Sequence, residues 1–155
     1  MNTIVIDSNI LVGVLDTNDS LHVRATELDA SVPISVQRIY FDIVVNESLS
    51  VLARRFEEKK REDSFPGLVQ RVKTKLPSSE IIWLGSLTET YYEEILQLLI
   101  ATKGTLNFND AFLALYMKKF DLQYLLSFDT DFDNIDWIQR ISTVSDIEKY
   151  LQRYA

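Results

Sequence analysis

Short apolar runs alternate with helical stretches from one end of the chain to the other, and this alternation constrains the fold more than any other feature. Residues 3–7 (TIVID), 32–36 (VPISV), 80–84 (EIIWL), 124–127 (YLLS) and 137–142 read as strands. Runs that are apolar almost throughout suit strands buried on both faces, as in a parallel sheet covered by helices. Between them, helices are expected over 9–15, over 20–30 with Ser20 as cap, and over 64–76 with Pro77 as terminator. Further helices are expected over 88–102, closed by Gly104, over 109–120 with Asn109 as cap, and over 145–154 with Ser145 as cap. The longest spans 37–62, where Tyr40, Phe41, Val44, Val45, Ser48, Leu49, Leu52 and Phe56 recur at three- and four-residue spacing. The expected class is therefore α/β. One domain over residues 1–155 would have a central, mainly parallel sheet of about five strands flanked by helices.

Composition closes several functional classes. The chain has 155 residues, 46% hydrophobic and 25% charged, which is ordinary for a globular protein. Its longest apolar stretches, such as 95–101 broken by Gln97, fall short of a membrane span, so no membrane association is expected. Asp7 interrupts the first apolar run and no basic segment precedes it. A signal peptide is not expected, and the cytoplasm is the expected compartment. Cysteine is absent, which removes disulfides and thiolate chemistry, and histidine occurs once, at His22. Zinc sites and mechanisms built on a histidine base are largely closed. The net charge of −7 opposes nucleic-acid binding through the overall field. It is compatible with an enzyme that concentrates its negative charge around a divalent cation.

A strand followed by an acid occurs twice, at Ile6-Asp7 and at Leu126-Ser127-Phe128-Asp129. In open α/β sheets ligands bind beyond the carboxyl ends of the strands, so both acids would face the functional edge. Each also has a plain reading as a turn former. Glu47 stands beside the apolar stripe of the long helix, where a carboxylate is costly to bury unless a cation or a polar cavity meets it. Its plain reading is a boundary residue reaching water or a nearby arginine. Asp110 opens the helix after Asn109. A first-turn acid there complements the helix dipole with no further role. Brought together, four such acids repel: two carboxylates ~4 Å apart cost about 4 kcal/mol at an effective dielectric of ~20. A cation relieves this, and an all-oxygen donor set suits Mg²⁺ or Mn²⁺.

The segments VIDSN (5–9), NES (46–48), LNFNDAFLA (106–114) and LLSFDTDF (125–132), in that order and spacing, resemble the PIN-domain family. They are especially similar to its single-domain toxins of the VapC type. The resemblance covers almost the whole chain. It implies a Rossmann-like parallel sheet and metal-dependent cleavage of single-stranded RNA, leaving a 5′-phosphate and a 3′-hydroxyl. It implies that Asp7, Glu47, Asp110 and Asp129 are the catalytic acids and bind Mg²⁺ or Mn²⁺, with Asp131 as a further ligand. Asn9 and Ser127 match the positions that support the first and fourth acids by hydrogen bonds. Partners implied are an RNA substrate, a second copy of the chain in a homodimer, and a cognate antitoxin whose extended tail fills the groove.

Other readings are weaker. A haloacid-dehalogenase-like phosphatase needs an acid two residues after the first, where Asn9 stands. A response-regulator receiver needs one after the middle strand, which ends Trp83-Leu84-Gly85. No glycine-rich phosphate loop is present. A PIN fold acting as a silent protein-binding scaffold stays open, because fold does not fix function. The basic residues Arg54, Arg55, Lys59, Lys60, Arg61, Arg71, Lys73 and Lys75 line an RNA approach path or form a solvated helix surface, the latter being preferred. Tyr40, Phe41, Phe108 and Phe112 suit core packing better than base stacking.

Overall fold

A computed structural model describes residues 2–153. Five parallel strands lie in the order β3-β2-β1-β4-β5: β1 (Thr3–Ile6), β2 (Gln37–Phe41), β3 (Ile81–Ile82), β4 (Tyr124–Leu126) and β5 (Gln139–Ile141). The chain runs outward from β1 to β3, then returns to β4 on the other side of β1. The order therefore reverses between β1 and β4, the place where an α/β sheet opens a crevice. The helices are α1 (Ser8–Leu15), α2 (His22–Ser31), α3 (Asp42–Glu58), α4 (Phe65–Lys75), α5 (Leu87–Thr90), α6 (Tyr92–Ala101), α7 (Phe108–Lys119) and α8 (Val144–Gln152). Among the described residues no helix is long and apolar enough to cross a membrane.

Ile4, Val5 and Ile6 of β1 and Leu125 and Leu126 of β4 are almost completely buried, as the unbroken apolar runs demand. Residues Ala111 to Met117 of α7 are buried too, so this helix is a core element. Helix α1 crosses α2 closely: a Cβ placed on Gly13 would meet Ala25 Cβ at 2.7 Å. That crossing sets the helix whose first residue follows Asp7.

The second strand begins at Gln37, just past the apolar run that suggested it. Residues 32–36 form a turn, closed by the Val36 amide donating to the Pro33 carbonyl at 3.0 Å. The strand is QRIYF, in register Thr3↔Gln37, Ile4↔Arg38 and Val5↔Ile39. Its polar first residues hide it: Gln37 is exposed, and Arg38 is satisfied by Asp29 and the Val32 carbonyl. The apolar spacing runs through the junction at Phe41, so strand and helix read as one long helix. Asp42 marks the break by accepting from the Ile43 amide with one oxygen and the Leu84 amide with the other.

Three expected caps move. Helix α2 begins at His22 with no side-chain cap, and its approach is held by Asp19 accepting from the Leu21 amide, not by Ser20. Asn107, not Asn109, caps α7, and Thr143, not Ser145, caps α8; each pairs with an acid three residues on in a capping box. The expected end of α8 at Tyr154 lies outside the described residues. The helix expected over 88–102 is divided at Tyr91, whose ring packs edge-on against Tyr116.

Candidate active site

Asp7 leaves β1 with extended backbone and becomes the N-cap of α1, its Oδ1 accepting from the Ser8 amide at 2.6 Å. Its other oxygen receives two side-chain donors: Ser127 Oγ at 2.6 Å and Asn9 Nδ2 at 2.7 Å. Asn9 Nδ2 also reaches Ser127 Oγ at 3.1 Å, while Asn9 Oδ1 accepts from the Phe128 amide. Ser127 Oγ in turn accepts from the Asp129 amide at 3.0 Å, and Asp129 Oδ1 from the Asp131 amide at 2.9 Å. One continuous network thus ties the ends of β1 and β4 together at the switch point. The short 3₁₀ turn Thr130–Asn134 follows, capped by Asp129.

Asp7 is 3% exposed, and all three of its donors are neutral. Burial pushes its carboxyl up to about 6; the hydrogen bonds from Ser127 and Ser8 oppose this, and the charges of Glu47 and Asp129 add to it. Asp110 is also pushed up to about 6, by burial first and then by Asp7, Asp129 and Asp131, with the Asn107 amide opposing. Glu47 is raised by burial and by Asp110, and eased by a hydrogen bond from Ser8. Five acids from four separated segments therefore sense one another electrostatically. Among the described residues no salt bridge reaches any of them.

The donor set fits Mg²⁺ or Mn²⁺. It is all oxygen, it carries excess negative charge without a cationic partner, and its central member is already oriented by neutral donors. Among the described residues no three acidic or histidine side chains are drawn close enough together to hold an ion as they stand.

Asp110 has a structural duty as well. Its Oδ2 accepts from the Asn107 amide at 3.2 Å while Asn107 Oδ1 accepts from the Asp110 amide at 3.0 Å. Asn107, and not the expected Asn109, is its partner in this cap. The pattern of Asn107 three residues before an acid was readable as a capping box. Two further contributors carried no signal of their own. Ser8 touches Glu47, and Arg140 grips Asp133 through Nε at 2.7 Å and a terminal nitrogen at 2.8 Å while donating to the Ser127 carbonyl at 3.3 Å.

His22 serves structure, its Nδ1 lying 2.8 Å from the Gly13 carbonyl oxygen. Part of the basic stretch is tied into the fold: Arg55 pairs with Asp19, Arg61 with Asp16 and Lys75 with Asp29. Of the four aromatics, Tyr40, Phe41 and Phe112 are buried, and Phe108 is 36% exposed against the Tyr92 ring.

An all-parallel sheet with acids gathered at its switch point defines a class of α/β proteins that work at the carboxyl edge. The PIN domain profile matches residues 4–138, and the chain belongs to the PIN-domain family. No curated protein matches it in sequence. Among solved structures it resembles VapC20 of Mycobacterium tuberculosis, described as a sarcin–ricin loop cleaving toxin, with 21% identity over 87% of this chain and 96% of that one (TM-score 0.65). VapBC2 of Rickettsia felis, solved bound to a DNA fragment from its promoter, matches with 18% identity over 90% and 97% (TM-score 0.60). FitAcB of Neisseria gonorrhoeae matches with 17% identity over 89% and 96% (TM-score 0.60). At these identities the likeness is one of fold.

Proposed function

We propose that residues 1–155 act as one PIN domain that hydrolyses single-stranded RNA with Mg²⁺ or Mn²⁺, as the toxin of a toxin–antitoxin pair. The observation that carries this reading is Asp7: a carboxyl 3% exposed, hydrogen-bonded only by neutral donors, and pushed to about 6 beside other acids. A protein tolerates such a group where a cation is its intended partner. Asp7, Glu47, Asp110 and Asp129 would hold the ion, with Asp131 at the edge. Bound there, it would activate water and offset the charge that develops at phosphorus. Ser127 and Asn9 hold one Asp7 oxygen in place and the Ser8 amide holds the other, while the Ser8 side chain steadies Glu47. The product ends are a 5′-phosphate and a 3′-hydroxyl. The likeness to a sarcin–ricin loop cleaving toxin supports RNA as substrate. The likeness to VapBC2 and FitAcB supports an antitoxin partner. A homodimer is proposed as the assembled form.

The test is cleavage of mixed single-stranded RNA with Mn²⁺ or Mg²⁺, against EDTA and Asp7→Asn. Metal-dependent cutting that disappears in the folded variant is expected, and equal activity of the two proteins would sink the assignment. Asp131→Asn is expected to be milder than Asp129→Asn. A second reading, a protein-binding scaffold, is favoured by the wide spacing of the acids. Under that reading Mn²⁺ leaves the melting temperature unchanged.

A further inference from the structure

Helix α3 carries Glu47 into the acid cluster, and the same helix face continues beyond it. Positions 43, 47, 50 and 54 follow one another at four- and three-residue spacing. Together with Asn109 near the start of α7 they border an open cleft of about 310 Å³. This is the scale of a single small-ligand site. Asn46, Ser50 and Asn109 accompany Glu47 on its walls, and Arg54 borders it two turns further along the helix. Among the described residues the carboxamides of Asn46 and Asn109 make no hydrogen bond.

Arg54 differs from the arginines that follow it and from Lys75. Asp19 holds Arg55, Asp16 holds Arg61 through both carboxylate oxygens, Asp29 holds Lys75, and Arg71 donates to the Leu15 carbonyl. Among the described residues Arg54 has only Glu58, at 3.9 Å, and its side chain is 68% exposed. An exposed contact of that length leaves the guanidinium available. On a chain of net charge −7, a phosphodiester moving toward five acids needs a local cation beside its path.

We infer that Arg54 anchors a backbone phosphate in an RNA subsite beside the acid cluster. The cleft takes one unpaired nucleotide flanking the cleaved bond, and Asn46 and Asn109 face the edge of its base. Seven residues of helix rise, roughly 10 Å, separate Arg54 from Glu47, so the guanidinium meets a neighbouring phosphate and not the reacting one. Unpaired RNA suits such a cleft because its bases are free to leave the stack and present their edges. The inference rests on the ribonuclease reading above.

The test is fluorescence anisotropy of a labelled mixed-sequence single-stranded RNA on the Asp7→Asn chain, with and without Arg54→Ala, across a salt series. Cleavage by the wild-type chain and by Arg54→Ala alone is followed in parallel. Loss of Arg54 is expected to weaken binding about tenfold and to lower the slope of log affinity against log salt by about 0.7, one phosphate contact on a single strand. It raises KM more than it lowers kcat. Arg54→Lys keeps the slope and recovers part of the affinity, and Arg54→Gln behaves like Arg54→Ala. Unchanged affinity and slope in Arg54→Ala overturn the subsite while leaving the nuclease in place. A wild-type chain that neither cleaves nor binds RNA overturns both.

Discussion

Ser127 Oγ donates to Asp7 Oδ2 at 2.6 Å, joining the ends of β4 and β1 where the strand order reverses. The same hydroxyl accepts from the Asp129 amide, so one small side chain fixes the positions of two acids. Ser127→Ala removes a donor that holds the Asp7 carboxyl down against burial. The variant is expected to bind Mn²⁺ and cleave RNA about 10–100-fold more weakly while remaining folded. A Mn²⁺ titration of the melting temperature reads the first effect. Wild-type behaviour there would show that the acid does not depend on its orienting partner.

Stability in EDTA should rise as pH falls from 7 to 5. Asp7 titrates near 6 in the folded chain and near 3.8 when exposed. The folded state therefore binds the proton more tightly, and its advantage is complete below 3.8 and lost as pH rises through 6. Between pH 7 and pH 5 Asp7 alone contributes about 1 kcal/mol. Asp16, Asp133 and Asp146, whose carboxyls are held low, act in the opposite sense only at still lower pH. Urea unfolding at the two pH values checks the gain. Asp7→Asn should abolish the Asp7 part of it, and a wild-type protein less stable at pH 5 than at 7 would contradict the argument.

Asp110 separates two duties that one carboxylate performs. Asp110→Ala loses the capping contact to the Asn107 amide, at a cost of about 1 kcal/mol, together with the charge. Asp110→Asn keeps an oxygen for the cap and loses only the charge, so its stability in EDTA should equal or exceed that of the wild type. Both variants should lose the stabilisation by Mn²⁺. Thermal melts of the three proteins with and without the ion distinguish the two effects. Equal destabilisation by Ala and Asn would mean that the charge, not the hydrogen bond, holds the helix start.

What could be read in advance was whatever burial on both faces imposes. Ile4-Val5-Ile6 and Leu125-Leu126 admit little besides interior strands, and the acids that follow them fall at the switch point without further assumption. The second strand escaped because Gln37 and Arg38 are polar, and because Tyr40 and Phe41 continue the spacing of the helix after them. Arg38 became legible only once Asp29, from another element, was seen to satisfy it. The cap of α7 is shifted from the expected Asn109 for a related reason. Asn107 and Asn109 are chemically equivalent as caps, and the choice depends on the backbone turning extended at Asn107. Convergence of Glu47 on the strand-end acids needs the packing of α1 on α3, which no local pattern contains.

The Arg140 clamp gives the sharpest test of how the 3₁₀ turn is held. Arg140 projects from β5, grips Asp133 with two nitrogens and reaches the Ser127 carbonyl, so it spans the turn that carries Asp129 and Asp131. The fork geometry is what matters, since two parallel hydrogen bonds fix the turn in both position and orientation. Arg140→Ala and Asp133→Asn should each weaken Mn²⁺ binding and RNA cleavage, although neither residue is placed among the metal ligands. Because the two act as one unit, the double variant should lose little more than either single one. Arg140→Lys supplies the charge without the fork and should recover little. Mn²⁺ titrations of the wild type and the four variants decide the matter: losses that add across the cycle would show the two residues acting separately, and full rescue by lysine would reduce the clamp to a simple charge.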